Sequence, residues 1–183
     1  MFSKIFNQVK DIKGWMSETD CKVLYNHASK VEGTIVEIGA FMGRSGKVLA
    51  LSSPKSQVYS VDSFPCVYDY YEQKFAPVQV RDACLNNVSK LDNWHLIQKR
   101  SVDVAKEWNK KIDFLTVDGE HCKRAVLEDI DSWYPFVKKG SYIIFHDYCD
   151  RPHEWEIQFA VNERKHLFTN IKQEGGFGVC QKK

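Results

Sequence analysis

Five short apolar runs constrain this chain more than any other feature: residues 34–38, 58–61, 95–97, 112–117 and 142–145, separated by polar or amphipathic stretches of helix length. Strands joined by helical crossovers pair in parallel, so the alternation predicts an α/β, Rossmann-like, doubly wound sheet that is mostly parallel. The first run ends in Gly39 and leads into a helix over 44–51 that stops before Pro54. Val126, Leu127, Ile130, Trp133, Tyr134 and Val137 make one apolar helix face, with Lys138, Lys139 and Gly140 as its end and a solvated polar face opposite. Further helices are predicted over 17–28 and 154–164. The last runs, 167–172 and 177–180, flank Glu174-Gly175-Gly176 and predict an antiparallel C-terminal hairpin.

A chain of 183 residues, 43% apolar and 27% charged, supports one ordinary core. No Pro/Gly/Ser-rich linker divides it, so 1–183 reads as one domain with a helical segment, 1–30, packed on it. No apolar run is long enough to cross a bilayer and the opening lacks an export signal, which gives a cytoplasmic expectation. A net charge of +2 with both signs interspersed sets up no field for nucleic acid or a membrane, leaving a small molecule as partner and the oligomeric state open, a homo-oligomer included. The six cysteines are widely spaced and read as reduced thiols. A zinc site from His121, Cys122, His146, Cys149 and His153 is the competing reading, but the short-range ligand pairs of structural zinc are missing.

The turn after the first run, VEIGAFMGRSG, stands where doubly wound sheets bind ligands, beyond a strand end and at a helix N-terminus. A dinucleotide fingerprint needs Gly-x-Gly-x-x-Gly, but its second glycine position holds Phe41, and Glu37 would repel a pyrophosphate. The glycines fall at Gly39, Gly43 and Gly46 instead. A cationic ligand suits the acid: S-adenosylmethionine carries a sulfonium and an ammonium against one carboxylate. Glu37 is then expected to hold the positive end, Ser45 and the helix N-terminus the carboxylate, and Asp62, ending the second run, the ribose hydroxyls. Taken singly, Glu37 also reads as a surface acid and Asp62 as a turn residue.

VEIGAFMGRSGKVLA followed by VDSF, LTVDGEH and IIFHDY resembles the class I S-adenosylmethionine-dependent methyltransferases, in particular a small, methyltransferase family 24-like branch that typically reads IDGDH after strand four and HD or DD after strand five. The first turn is also similar to that of catechol and macrolide-sugar O-methyltransferases. The resemblance implies a seven-stranded sheet with an antiparallel last strand. It implies Glu37, Gly39, Ala40, Phe41, Gly43 and Ser45 around the methionine part of the cofactor, Asp62 and Ser63 at the ribose and adenine edge, Ser101 at the adenine, and Asp118 beside the reacting end.

For the reaction, the resemblance implies O-methylation of a small molecule, a sugar first. Hydroxyl methylation asks a protein chiefly to position the acceptor and take its proton. In the metal-dependent sugar O-methyltransferases, acids after strands four and five hold magnesium and a histidine three residues beyond the first acid acts as base. Asp118 and Asp147 match the acids and His121 the base. His146 replaces the first acid of the pair, so Asp118, His146 and Asp147 are candidate metal ligands with the ion's identity open among Mg2+, another divalent cation, or none. Aromatic side chains of 64–79 (Tyr68, Tyr70, Tyr71, Phe75) and Trp155 in 148–155 are candidates to stack on the acceptor. A non-catalytic S-adenosylmethionine-binding protein and a nucleotide-dependent oxidoreductase are the rival functions.

Overall fold

The computed structural model describes residues 1–148, 156–169 and 171–183. Its elements, in chain order, are α1 (Phe2–Val9), α2 (Glu18–Ala28), β1 (Thr34–Ile38), α3 (Arg44–Ser52), β2 (Gln57–Val61), β3 (Tyr68–Tyr70), β4 (Gln73–Phe75), α4 (Pro77–Val88), β5 (Trp94–Ile97), α5 (Ser101–Glu107), β6 (Ile112–Val117), α6 (Lys123–Trp133), β7 (Val137–Phe145), α7 (Ile157–Glu163), β8 (Lys172–Glu174) and β9 (Phe177–Gln181). Seven strands form one sheet in the order β5-β2-β1-β6-β7-β9-β8. The first five of these are parallel, and β9 runs antiparallel to both β7 and β8.

Both faces of the sheet are covered, which is why β1 and β6 are almost wholly buried and read as continuous apolar runs. On one face Val9, Leu24, Val48, Leu49 and Val80 pack from the α1–α4 side; on the other Val104, Val126, Ile130, Trp133 and Val161 pack from the α5–α7 side. Strand order reverses between β1 and β6, so the crevice beyond their carboxyl ends is the place for a ligand. No described helix is long and apolar enough to cross a membrane.

Three expectations change. The helix ending the fourth connection stops at Trp133: Tyr134–Phe136 form a 3-10 turn around Pro135, and Val137, expected on the helix, opens β7. Lys138, Lys139 and Gly140 belong to that strand, where the pairing with β6 is interrupted by a bulge. Near the C-terminus, 165–167 is a 3-10 turn and Phe168 forms an isolated bridge, so the hairpin strand is Lys172–Glu174 rather than 167–172. A separate hairpin of β3 and β4 also appears, its tip at Tyr71 and Glu72, both with positive φ. Of the helix expected over 154–164, residues 154 and 155 lie outside the described residues and α7 falls within the rest. The five described cysteines are free thiols, and Cys149 and His153 lie outside the described residues.

Candidate active site

A cleft of about 810 Å³ opens over the carboxyl ends of the parallel strands, within the size range of small-molecule sites. Its central wall is the turn between β1 and α3. Gly39 has φ +88°, and a Cβ there would lie 2.0 Å from the Asp118 carbonyl oxygen, so only glycine lets this turn lie against the end of β6. Asp62, at the end of β2, holds the turn from the other side. Its Oδ2 accepts from the Ala40 and Phe41 amides at 3.0 and 3.1 Å, and its Oδ1 accepts from the Phe64 amide at 2.8 Å. Gly39, Ala40, Phe41, Ser45, Asp62 and Ser63 all line the cleft.

Glu37 and Gly43 do not line it. The Glu37 side chain lies under the turn, 1% exposed, where Ser60 donates to Oε2 and the Trp94 indole N–H donates to Ser60 at 2.8 Å. Gly46 leaves room for this network: a Cβ there would sit 2.8 Å from Trp94 Nε1 and 3.0 Å from Glu37 Oε2. Burial pushes the Glu37 carboxyl up to about 7, with the charges of Asp118 and Asp62 adding to the effect and the Ser45 and Ser60 hydroxyls opposing it. Glu37, expected to hold the positive end of the cofactor, thus lies beneath the turn and not on the cleft lining. β1 is buried on both faces, and its acid points into the polar layer beneath α3. Gly43, with φ +84°, starts α3 and is backed by Val88.

At the other end of the cleft, the neighbouring strands β6 and β7 bring four of the expected residues together. His121 Nε2 lies 3.8 Å from Asp118 Oδ1 and 3.4 Å from Asp147 Oδ2. Buried His146 stands behind the acids, with Nδ1 3.1 Å from Asp118 Oδ1 and 3.2 Å from Asp147 Oδ2. Its Nε2 faces a third acid, Asp20, at 3.9 Å. Burial disfavours the imidazolium of His146, but with a carboxylate facing each nitrogen the net result is a pKa well above the ordinary range. His121 is raised too, burial being outweighed by Asp118 and Asp147; Asp118 is lowered, since the two histidines overcome its burial. Asp147 has φ 53°, a strained conformation of the kind that gathers at functional sites.

Asp20 and Asp129 were not among the expected site residues. Ser17-x-x-Asp20 is a capping box that starts α2, and the same Asp20 carboxylate accepts from the Gly176 amide at 2.8 Å as well as facing His146. The box is readable in the sequence; its second role is not. Ser101, expected at the adenine, has its hydroxyl engaged: it accepts from the Trp133 indole N–H at 2.7 Å and donates to Asp129 Oδ1 at 2.5 Å. Asp129, on the side of α6 expected to be solvated, is only 5% exposed and lines the cleft.

The cleft rim is aromatic. Trp15 packs on Phe41 and Tyr70 with ring centroids 4.7 and 5.1 Å apart, and Phe41 also meets Tyr68. Tyr68 lines the cleft, Phe75 takes part in the adjoining core, and Tyr71 is exposed at the hairpin tip. Trp155 lies outside the described residues. Arg44 at the start of α3 donates to the carbonyl oxygens of Lys10, Ile12, Gly14 and Met16, clipping the α1–α2 connection against the cleft.

A family model described as a methyltransferase domain matches residues 36–148. An uncharacterized protein, R132, of Acanthamoeba polyphaga mimivirus is 26% identical over 140 residues, 76% of this chain; the chain spans only 62% of that relative's length. Among solved structures, the O-methyltransferase NovP superposes with a TM-score of 0.71 at 16% identity, covering 91% of this chain and 80% of its own. The MycE methyltransferase of the mycinamycin biosynthetic pathway, in complex with Mg and SAH, superposes with a TM-score of 0.64 at 14% identity, covering 99% of this chain and 54% of its own. At these identities the structural likeness shows a shared fold.

Proposed function

Because this chain belongs to the methyltransferase-domain family, matched over residues 36–148, we propose that it transfers the methyl group of S-adenosylmethionine to a hydroxyl of a small molecule, with sugars the first class to test. The observation that carries the reading is that a single cleft joins the glycine turn pinned by Asp62 to the Asp118–His121–Asp147 cluster. In this reading Asp62 and Ser63 take the ribose hydroxyls, and the backbone amides at the start of α3, Ser45 among them, take the cofactor carboxylate. S-adenosylmethionine supplies a methyl carbon already activated by its sulfonium.

The chain has two tasks left, to place the acceptor and to remove its proton. An acceptor hydroxyl gives its proton to Nε2 of His121 as its oxygen bonds the methyl carbon, and the carbon–sulfur electron pair leaves with sulfur. Asp118 and Asp147 both face that nitrogen, at 3.8 and 3.4 Å, and stabilise the charge the ring gains. Positioning of this kind contributes roughly 7–11 kcal/mol and a placed base about 10²–10⁴-fold.

The spacing of Asp118, His121 and Asp147, with ligand atoms within 4.8 Å of one another, admits a cation. The donor chemistry does not fit magnesium. Both carboxylate oxygens that face His121 also face His146 Nδ1, at 3.1 and 3.2 Å, and Asp20 holds the other side of that ring, so a hard dication and a buried imidazolium would compete for the same two atoms. Ligation by His121 Nε2 would also remove the base. His146 neutralises the acid pair in place of a metal.

Calorimetry with S-adenosylmethionine beside NAD, followed by transfer of an isotope-labelled methyl group to a panel of sugar and phenol hydroxyls, tests the proposal. Binding of S-adenosylmethionine alone, with label appearing in a hydroxyl acceptor, is the expected result; binding of NAD in its stead overturns it.

A further inference from the structure

Charges of both signs are interspersed along the sequence, and the fold sorts them. The parallel strands run toward the cleft, so their starts lie at the opposite end of the sheet, about 20 Å away along β6. Four segments meet at that end: 109–113 entering β6, 134–141 entering β7, 165–169, and 181–183 at the end of β9. Ile112 pairs with Val137, the Gly140 amide donates to the Lys182 carbonyl and the Lys182 amide to that of Ser141. Phe168 bridges to Lys182, and the Lys183 amide donates to the Leu167 carbonyl.

These segments carry Lys110, Lys111, Lys138, Lys139, Lys165, Lys182 and Lys183 against one acidic side chain, Asp113. Asp113 is already engaged: Lys138 donates to its Oδ1 at 2.5 Å and the Thr34 amide to its Oδ2 at 2.9 Å. The acids around the rim are paired elsewhere, Glu107 with Lys99, Asp131 with Arg164, Glu163 with Lys123 and Glu32 with Lys55. Lys182 and Lys183 donate to the Tyr134 and His166 carbonyl oxygens at 2.8 and 3.3 Å, and Lys110 lies over the Tyr59 ring at 4.3 Å, so none of the three meets an acid. Burial, with the charge of Lys111 beside it, holds the Lys182 ammonium below its ordinary range. Because the whole chain is only +2, gathering these lysines at one end leaves the remainder acidic.

What the patch lacks narrows its partner. Protein interfaces are centred on aromatic residues and arginine and are depleted in lysine. These four segments contain no arginine, and none of the large apolar side chains exposed among the described residues lies in them. The same lack leaves nothing to bury beneath lipid headgroups. Lysine suits phosphate as a point charge and contacts a nucleic-acid backbone without reading base edges. Strands about 4.8 Å apart set the ends of β6, β7 and β9 in a row, which Lys110 and Lys165 lengthen, so that about four phosphates of a duplex can be faced at once.

We propose that this lysine face docks on the phosphate backbone of duplex nucleic acid, whatever its base sequence, with the cleft turned away from it. The inference is independent of the chemistry assigned to the cleft.

Fluorescence anisotropy of labelled DNA and RNA duplexes, titrated with the full chain at about 50 to 200 mM salt, tests it. Neutralising about four phosphates gives a slope of about −3.6 in log affinity against log salt, a fall of roughly 100-fold across the series. The variant Lys111→Glu/Lys139→Glu/Lys183→Glu loses at least about tenfold at the lowest salt and most of that slope. A second variant, Lys4→Glu/Lys22→Glu/Lys74→Glu, makes the same change in net charge at exposed positions on α1, α2 and β4 and stays within about threefold of the unaltered protein. Equal losses in the two variants would reduce the effect to net charge and overturn the assignment. So would the absence of duplex binding at the lowest salt, or tighter binding at equal salt to vesicles containing phosphatidylserine or to polyglutamate.

Discussion

Replacing Glu37 by Gln should make the protein more stable at pH 8 and change its stability little at pH 4.5. The carboxyl is fully buried, and its pKa rises from 4.5 to about 7 on folding. A carboxyl with a raised folded pKa is protonated more in the folded than in the unfolded state. Its contribution is therefore intact below about 4.5, declines as pH climbs from 4.5 to about 7, and stays lost above that. The interval of about 2.5 units corresponds to roughly 3 kcal/mol, at 1.36 kcal/mol per unit. Gln removes the titration and keeps a side chain that Ser60 can hydrogen-bond. Urea unfolding of both proteins at pH 4.5, 6 and 8 reads the difference directly, and the double difference between pH 8 and pH 4.5 cancels every other titrating group. Equal offsets at all three pH values would refute a buried, proton-binding Glu37. Because Glu37 does not line the cleft, the same variant should bind S-adenosylmethionine within about threefold of the unaltered protein, the cost of one weak contact at most.

His121→Ala should lower kcat by about 10²–10⁴ with little change in cofactor affinity, and a variant that loses affinity but not turnover per bound cofactor would remove His121 from the base role. In the unaltered protein kcat/KM should climb with pH as His121 deprotonates, with the midpoint above the ordinary imidazole value of 6.5 because Asp118 and Asp147 favour the charged form; a rise centred below 6.5 would count against that geometry. Dialysis against EDTA should leave turnover within about twofold, whereas a loss restored by added Mg2+ would show that His146 does not replace a metal. Gly39→Ala combines a left-handed φ with a Cβ 2.0 Å from the Asp118 carbonyl, and should cost about 2–4 kcal/mol in urea unfolding; a cost below 1 kcal/mol would mean the turn does not press against β6.

The parallel sheet was legible because each strand run is short, apolar and followed by helix-length sequence, and Gly39 marked the first turn. What failed did so for physical reasons. Val137 kept the helical period by coincidence: it is buried as the first residue of β7, and Pro135 had already ended the helix. The β3–β4 hairpin turns on Tyr71 and Glu72, two residues with positive φ and no Gly, Asn or Asp to announce them. Glu37 sits on a strand buried on both faces, where alternation cannot say which way a side chain points. The acid–histidine cluster was readable from its spacing at two strand ends, but His146 as an internal cation needs Asp20, which the fold brings from another helix. Asp129 looked like part of a solvated helix face because its partner, Ser101, is 28 residues away in sequence.

The Asp20–Gly176 hydrogen bond spans 156 positions, and the His27–Glu174 pair beside it spans 147. Segments far apart in sequence thus clasp behind the turn that carries His146, and Asp20, which faces that histidine, is itself held by Gly176. During synthesis β1, β2, β5 and β6 can pair well before that. The wall of the cleft over β1 and β2 therefore rests on contacts formed early in the chain, whereas the support behind His146 draws on a segment 156 positions from Asp20.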